Sequence, residues 1–553
     1  MKRLLIFFIV IIVLLFSAPV NTGAQGVLKG SLESNTIVYV DDSRIHSEAP
    51  VHPVGSNNYL KLDYSYGKFT AGIQMEYYPQ PLQGFQKELE GFGIPYKYLS
   101  WTDKSWSLTA GDFYEQFGSG LILRSWEDRQ LGINNALGGG RLAFQFFDHA
   151  ISAKVLYGKP RYYLRSDGLG YKTFEHMFDA YSSTHVVGGD LSVSLSQLFF
   201  PESFHSLTVE GSVVNRYEKT APNELIQLAE LYGLGIPRNV LSYSGRMVYN
   251  SGPLSIKGEY VGKGNDLYAE HVAKGENYRL KKGNAQLLEI NYADNGFSAT
   301  GTFRRLSNMQ NQLFRTVQSV TAGNTISYIP ALCQQQTYML ATLNPYAPQL
   351  DGEIGGQMDI YYNVKRGSSW GGKYGMKIHA SASMFYATPE ALANYNHHRL
   401  SYRDLTIDVE KKWNRNFKTI FFVSIQENSP THGDRVPTDA QNVFVIDAQY
   451  RITSKVSLRT ELQYLYSEEL NKDWMAGLLE LNVAPQWSLY VSDMYNHGDT
   501  KTHYYSGGIS YSNSSVRIAG SYGRNREGMI CSGGVCRWQP AYTGGNLQFS
   551  LFF

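Results

Sequence analysis

The sequence predicts an all-β protein: a single large transmembrane antiparallel β-barrel of about 24 strands, roughly 22–26. Three observations predict it. Segments of about ten residues alternate between apolar and polar side chains, as expected of strands with lipid on one face and a polar interior on the other. Short and long connections alternate along the chain. The one long apolar run lies at the N-terminus, so this is no bundle of membrane helices. Composition agrees: charged residues are 18% of the 553, while Tyr (41) and Gly (53) are abundant. Length alone would suggest three or four globular domains.

Lys2 and Arg3 precede the apolar run from Leu4 to Phe16, and Thr22-Gly23-Ala24 follows a short polar stretch. Basic start, short apolar core and small-residue cleavage site read as a secretory signal over 1–24. An uncleaved anchor is the alternative. The barrel then occupies 25–553. No Cys stands near the cleavage site, which argues against a lipid anchor. Loss of Lys2 and Arg3 leaves basic and acidic side chains equal in number. A chain without excess positive charge is a poor partner for nucleic acid.

The alternation is clear in five internal segments. In 206–217, Leu207, Val209 and Val213 oppose Thr208, Glu210 and Arg216. In 253–261, Leu254, Ile256 and Tyr260 oppose Ser255, Lys257 and Glu259. In 403–413, Leu405, Ile407 and Val409 oppose Asp404, Asp408 and Glu410. In 443–452, Phe444, Ile446 and Tyr450 oppose Asp447, Gln449 and Arg451. In 456–466, Leu458, Leu462 and Tyr464 oppose Ser457, Arg459 and Glu461. A soluble β-sandwich also alternates, with turns at shorter spacing.

The chain stops on such a strand. Leu547, Phe549, Leu551 and Phe553 share one face; Asn546, Gln548 and Ser550 share the other. This resembles the C-terminal strand of Gram-negative outer-membrane β-barrel proteins, porin-like barrels among them. The resemblance implies that Phe553 belongs to the sorting signal read by the barrel-insertion machinery, and that outer-membrane lipid surrounds the wall.

Eleven short turns are readable: 65–69, 102–105, 147–151, 199–206, 249–254, 293–297, 365–375, 413–417, 452–456, 483–487 and 512–516. With first and last strands at 27–40 and 545–553 they give 24 strands. Between them lie long connections, notably 79–95, 113–140, 262–284, 306–354 and 523–544. Short turns belong to the periplasmic side, which puts both termini there. Trp413, Trp487 and Phe297 at short turns suit an interfacial aromatic girdle.

Strand side chains cannot fill so wide a lumen. The first strand starts near Val27, leaving no room for the N-terminal plug and energy-coupling box of TonB-dependent transporters. The lumen is therefore expected to be open, blocked by loops or filled by a partner. Segment 111–132 is one candidate obstruction: it combines Gly and aromatics with Glu115, Arg124, Glu127, Asp128 and Arg129. Folded inward like a porin constriction loop, it would set charges of both signs across the passage. A solvated outer loop is the alternative. Its pattern GD-x-F-Y-x-x-F-G-x-G-L also looks like segments of large uncharacterised outer-membrane barrels. The long, weakly charged segment 306–354 is a second candidate, or else an extended outer hairpin.

Charges on the polar faces must point inward, since at mid-bilayer they cost about 2–4 kcal/mol for Lys or Arg. If Arg451 pairs with Ser457, Arg459 stands opposite Gln449 and diagonal to Asp447, a ladder that also includes Glu461. Cys531 and Cys536 read as a disulfide closing a loop tip in an oxidising compartment; Cys333 is left as a free thiol. His397-His398 reads as surface. The sequence has no nucleophile elbow, zinc-protease motif, P-loop or dinucleotide fingerprint. It therefore points to no enzyme, metal or cofactor. The expected function is passage of polar solutes through a loop-constricted lumen. The alternative is a structural or translocon subunit binding a protein or glycan partner.

Overall fold

A computed structural model describes residues 26–161, 184–218, 230, 233–272, 275–313, 325–389, 399–429, 439–469, 472–532 and 535–553. The leader 1–24 and His397-His398 lie outside the described residues. Each alternating segment is a strand, and the wall strands pair antiparallel with their neighbours in one 24-stranded sheet. Val27–Val40 pairs on its second side with Tyr542–Phe552, from Ser31 opposite Phe552 to Val40 opposite Thr543. The sheet is therefore a closed barrel with no free edge, the form in which all backbone groups at membrane depth are paired.

The two faces sort as the pattern requires. Along Asp439–Arg451, Ile446 is 49% exposed on the outer wall while Asp447 is 2% exposed inside. Trp413, Trp487 and Phe297 are exposed at the short-turn rim, together with Trp101, Trp106 and Phe147. Amphipathic aromatic rings at one level suit a headgroup interface.

Three connections differ from the sequence reading. Segment 262–284 is no loop. Leu254–Val272 and Gly275–Asp294 continue as a paired hairpin through a register shift between Lys263 and Asp266. Beyond Gly262 the apolar face is lost, yet backbone pairing remains favourable in water, so the ladder runs on. Segment 199–206 is preceded by a short helix, Leu195–Phe199. The last strand starts at Tyr542, and segment 523–544 holds its own hairpin, Gly528–Ser532 with Val535–Gln539.

Closure is locked at both rims. At the short-turn rim, Gly30 and Phe553 exchange backbone hydrogen bonds of 2.8 and 3.0 Å. The Phe553 ring lies where a side chain on Gly30 would be, so a larger residue there would have to displace the terminal ring. At the opposite rim Asp42 accepts from Arg524 Nε (2.7 Å), Arg524 Nη2 (3.0 Å) and Thr543 Oγ1 (2.6 Å). Burial alone would raise the Asp42 carboxyl, but these donors hold it below the ordinary carboxylate range.

Asp42→Asn should therefore cost about 1–3 kcal/mol of barrel stability at neutral pH. A depressed carboxyl stabilises in full above its unfolded value, near pH 4, and loses that contribution as pH falls through its lower folded value. Urea unfolding in liposomes should show the wild-type advantage at pH 7 and its progressive loss as the pH is taken below the unfolded carboxyl value.

Candidate functional site

The lumen at the long-connection end is filled by the protein's own chain. Among the described residues four segments turn inward: 81–90, 114–136, 308–351 (described over 308–313 and 325–351) and 526–541 (described over 526–532 and 535–541). The reason is visible on the strands' inner faces. Near this rim the polar face turns apolar, with Val214 following Ser212, Val261 following Glu259 and Leu465 following Gln463. Phe117, Leu121, Ile122 and Leu123 pack on this apolar belt together with Met309 and Ile326. Across the barrel, Tyr338, Leu340 and Leu343 pack on Phe422, Val443 and Val445. Segments 114–136 and 308–351 are thus a two-lobed plug.

Segment 111–132 starts in the last residues of the strand Trp106–Phe113 and leaves the wall after Phe113. Gly111 has φ 105°, and Asp112, fully buried, accepts the Lys97 backbone N–H at 2.8 Å. These contacts give the GD start of the motif its structural role. Gly118 (φ 55°) lies against the Arg246 side chain, leaving no room for a Cβ.

The five charged residues of this segment do not form one cluster. Glu115 is buried at the wall, held by Arg141 Nε and by Lys154 Nζ at 3.0 Å. Arg124 stacks between Trp126 (4.5 Å) and Tyr328 (3.7 Å). Its backbone N–H donates to Ile326 O at 2.7 Å, joining the two inward segments. Glu127 accepts from Gln74 at 2.6 Å and from Arg129 Nε at 3.3 Å. Asp128 accepts the Leu131 N–H at 2.9 Å. Arg129 pairs with Glu33 of the wall at 2.7 Å and covers the Tyr59 ring. Glu127 and Arg129 meet; Glu115 and Arg124 sit apart from them.

Lower on the wall, Arg451 stands opposite Ser457 and Gln449 opposite Arg459. Arg459 Nη2 reaches Asp447 at 3.0 Å and also contacts Glu461, while Arg451 is exposed near its turn. Cys531 and Cys536 face each other across the hairpin and are disulfide-bonded.

The residues that fasten the plug were not singled out from sequence. Arg216 pairs with Asp266 at 2.7 Å and donates to the Gln312 carbonyl. Arg304 pairs with Glu353 at 2.8 Å and donates to the Pro330 carbonyl. Lys263 donates to the Gln310 carbonyl. Arg161 forms a bidentate pair with Glu76, at 2.8 and 3.3 Å, bridging non-adjacent strands. An irregular segment has unpaired carbonyls, and buried wall cations satisfy them. Cations near the long-connection end of inward faces are the signal that could have found them.

Between the plug and the closing strands a cavity of about 460 Å3 remains. Glu33, Arg129, Arg537, Asn35, Asn546 and Gln548 supply its polar lining. Arg537 donates to Gln130 O (3.3 Å) and Gln539 Oε1 (2.9 Å) and covers Phe85. Burial lowers the Arg537 guanidinium from its ordinary value, and no carboxylate is paired with it among the described residues. Cys333, beside Tyr346, Phe385 and Tyr402, is a thiol that burial pushes up to about 12.

Native Cys333 should therefore react with maleimide far more slowly than a free thiol, since the thiolate is the nucleophile. Glu353 also accepts from the Tyr346 hydroxyl and from Gln349 N at 2.9 Å. Glu353→Ala strands the buried Arg304, a loss of about 3–5 kcal/mol. It should speed Cys333 labelling in the folded barrel; labelling at the wild-type rate would show that this pair does not hold the lobe.

The chain belongs to a family of unknown function, DUF6029, matched over residues 1–553. No curated protein is similar to it in sequence. Among solved structures, the P pilus usher (PapC) translocation pore is 10% identical, with 96% of this chain and 99% of that chain covered and a TM-score of 0.44. The siderophore receptor PirA from Pseudomonas aeruginosa is 8% identical over 96% and 82% of the two chains, TM-score 0.40. A variant of Rh. blastica porin is 10% identical over 58% and 93%, TM-score 0.27.

Proposed function

We propose that this member of the DUF6029 family is an outer-membrane transport barrel that passes polar solutes through a lumen constricted by its own loops. Its short-turn rim, which carries both ends of the barrel, faces the periplasm, and segment 1–24 is its export signal. One observation carries the reading: the plug occupies only the long-connection half of a polar-walled lumen and leaves a polar cavity beside Val27–Val40 and Tyr542–Phe552. The cavity's wall is itself accessible, as at Gln548. A solute taking this route meets Arg129, Glu33 and Arg537 in turn, and the passage selects by size and by charge.

The plug is held by side-chain contacts with the wall, not by strands of the main sheet. Its lobes are therefore the part of the protein that moves to widen the passage, because few backbone ladders must break. Charges of both signs along the cavity favour solutes with polar groups over apolar ones. Segment 111–132 contributes Arg129 to this cavity, while Glu115 and Arg124 anchor the segment in place.

Removal of residues 114–134 should raise single-channel conductance in planar bilayers by on the order of tenfold, because it takes out one lobe of the plug in a barrel wide enough to hold a water-filled channel. Arg129→Ala should change the ion selectivity of the native passage. A deletion variant that folds, judged by heat-modifiable migration in gels, and conducts no better than wild type would sink the proposal.

A further inference from the structure

The cavity at the closing seam combines three features that together specify a ligand. The first is a cation without a counter-ion. Arg537 is oriented by neutral acceptors on Gln130 and Gln539 and by the Phe85 ring, 4.2 Å from its centroid. Its Nη2 group makes no hydrogen bond among the described residues. Asp128, whose charge reaches Arg537, makes no ion pair with it among the described residues. Glu33, the other carboxylate at the cavity, is neutralised by Arg129 at 2.7 Å. A planar guanidinium with free donors matches a carboxylate or phosphate.

The second feature is a pair of orphaned amides. Asn35 Oδ1 and Asn546 Oδ1 are both buried without a hydrogen-bond partner, and both residues line this cavity. Buried polar atoms left unpaired cost free energy that a bound hydroxyl would recover. The third feature is an apolar side, formed by Ile37, Leu82 and the rings of Phe85 and Tyr542. Carbon–hydrogen faces of a ring sit well on such a surface, while polar groups at its rim fix orientation.

We propose that this cavity binds a small anionic polyhydroxylated solute, a sugar acid or a sugar phosphate, with its anion on Arg537 and its hydroxyls on Asn35 and Asn546. The proposal rests on the transport reading above and names the solute class for that passage. The site lies between the plug and the wall, so its occupant is in contact with both the moving segment and the fixed strands. The disulfide hairpin supplies the cation: Arg537 follows Cys536, and the Cys531–Cys536 bond fixes the hairpin that carries it.

The test is calorimetric titration of the detergent-solubilised full chain with glucuronate, glucose 6-phosphate and glucose. At least one anion should bind about tenfold or more tightly than glucose, as expected for a charge-assisted contact. Glucuronate and glucose 6-phosphate separate a carboxylate preference from a phosphate preference. Arg537→Gln should bring the preferred anion down to the glucose level, and Arg537→Lys should restore part of the preference. Asn546→Ala should weaken all sugars alike. Equal affinity for glucose and both anions, an Arg537→Gln variant that keeps the preference, or no binding of any of the three overturns the proposal. Liposome swelling separates the two readings. Swelling by neutral sugars without anion preference overturns only the site. Anion preference in calorimetry, with no swelling even after removal of 114–134, supports the site and overturns the transport reading.

Discussion

Every backbone N–H and C=O at membrane depth must find a partner within the protein, and the rest of this structure follows from that constraint. The chain meets it by closing a 24-stranded sheet on itself, with the first strand bonded to the last. Closure fixes the girth, and girth creates an interior that wall side chains cannot span. The inward segments are the answer to that void. They come from long connections, which alone have chain to spare, and so the plug sits at one end of the lumen while the other end stays accessible.

Filling a void with irregular chain raises a second difficulty, because such chain carries unpaired carbonyls into a site with little water. Arg216, Arg304 and Lys263 answer it by pointing from the wall into segment 308–351. The two arginines also hold a buried carboxylate, Asp266 and Glu353. A buried pair gains little over a well-packed apolar pair, yet breaking one partner is costly. Such pairs specify where the segment docks more than they stabilise it. Arg161 with Glu76 makes the same kind of buried pair between non-adjacent strands.

The strands were legible because their signal is local. Alternation between Ile446 and Asp447 depends only on which side of a pleat each side chain leaves, and no distant contact is needed to read it. The short turns were legible for a similar reason. Segment 262–284 misled because loss of the apolar face marks the end of the lipid, and the backbone ladder does not stop there. For the plug, the sequence offered 111–132 as a constriction loop or a solvated outer loop, and 306–354 as an obstruction or an extended outer hairpin. It did not show that Glu115 would pair with Arg141 and Lys154, that Arg124 would sit on Tyr328, or that the five charges would part company. Those contacts join positions as far apart as Arg537 and Gln130, 407 residues along the chain.

The sequence by itself determined the fold class, a strand number near 24, the face of each strand that meets lipid, and a lumen too wide for wall side chains to fill. Each is a consequence of composition and period-two order, which neighbouring residues carry between them. Only the tertiary structure decided what occupies the lumen, which wall cations grip it, and where a polar cavity is left with Arg537, Asn35 and Asn546 around it. Those outcomes depend on the barrel closing first. Closure brings Val27–Val40 beside Tyr542–Phe552 and turns the long connections toward a shared interior, and no local pattern encodes which of them meet there.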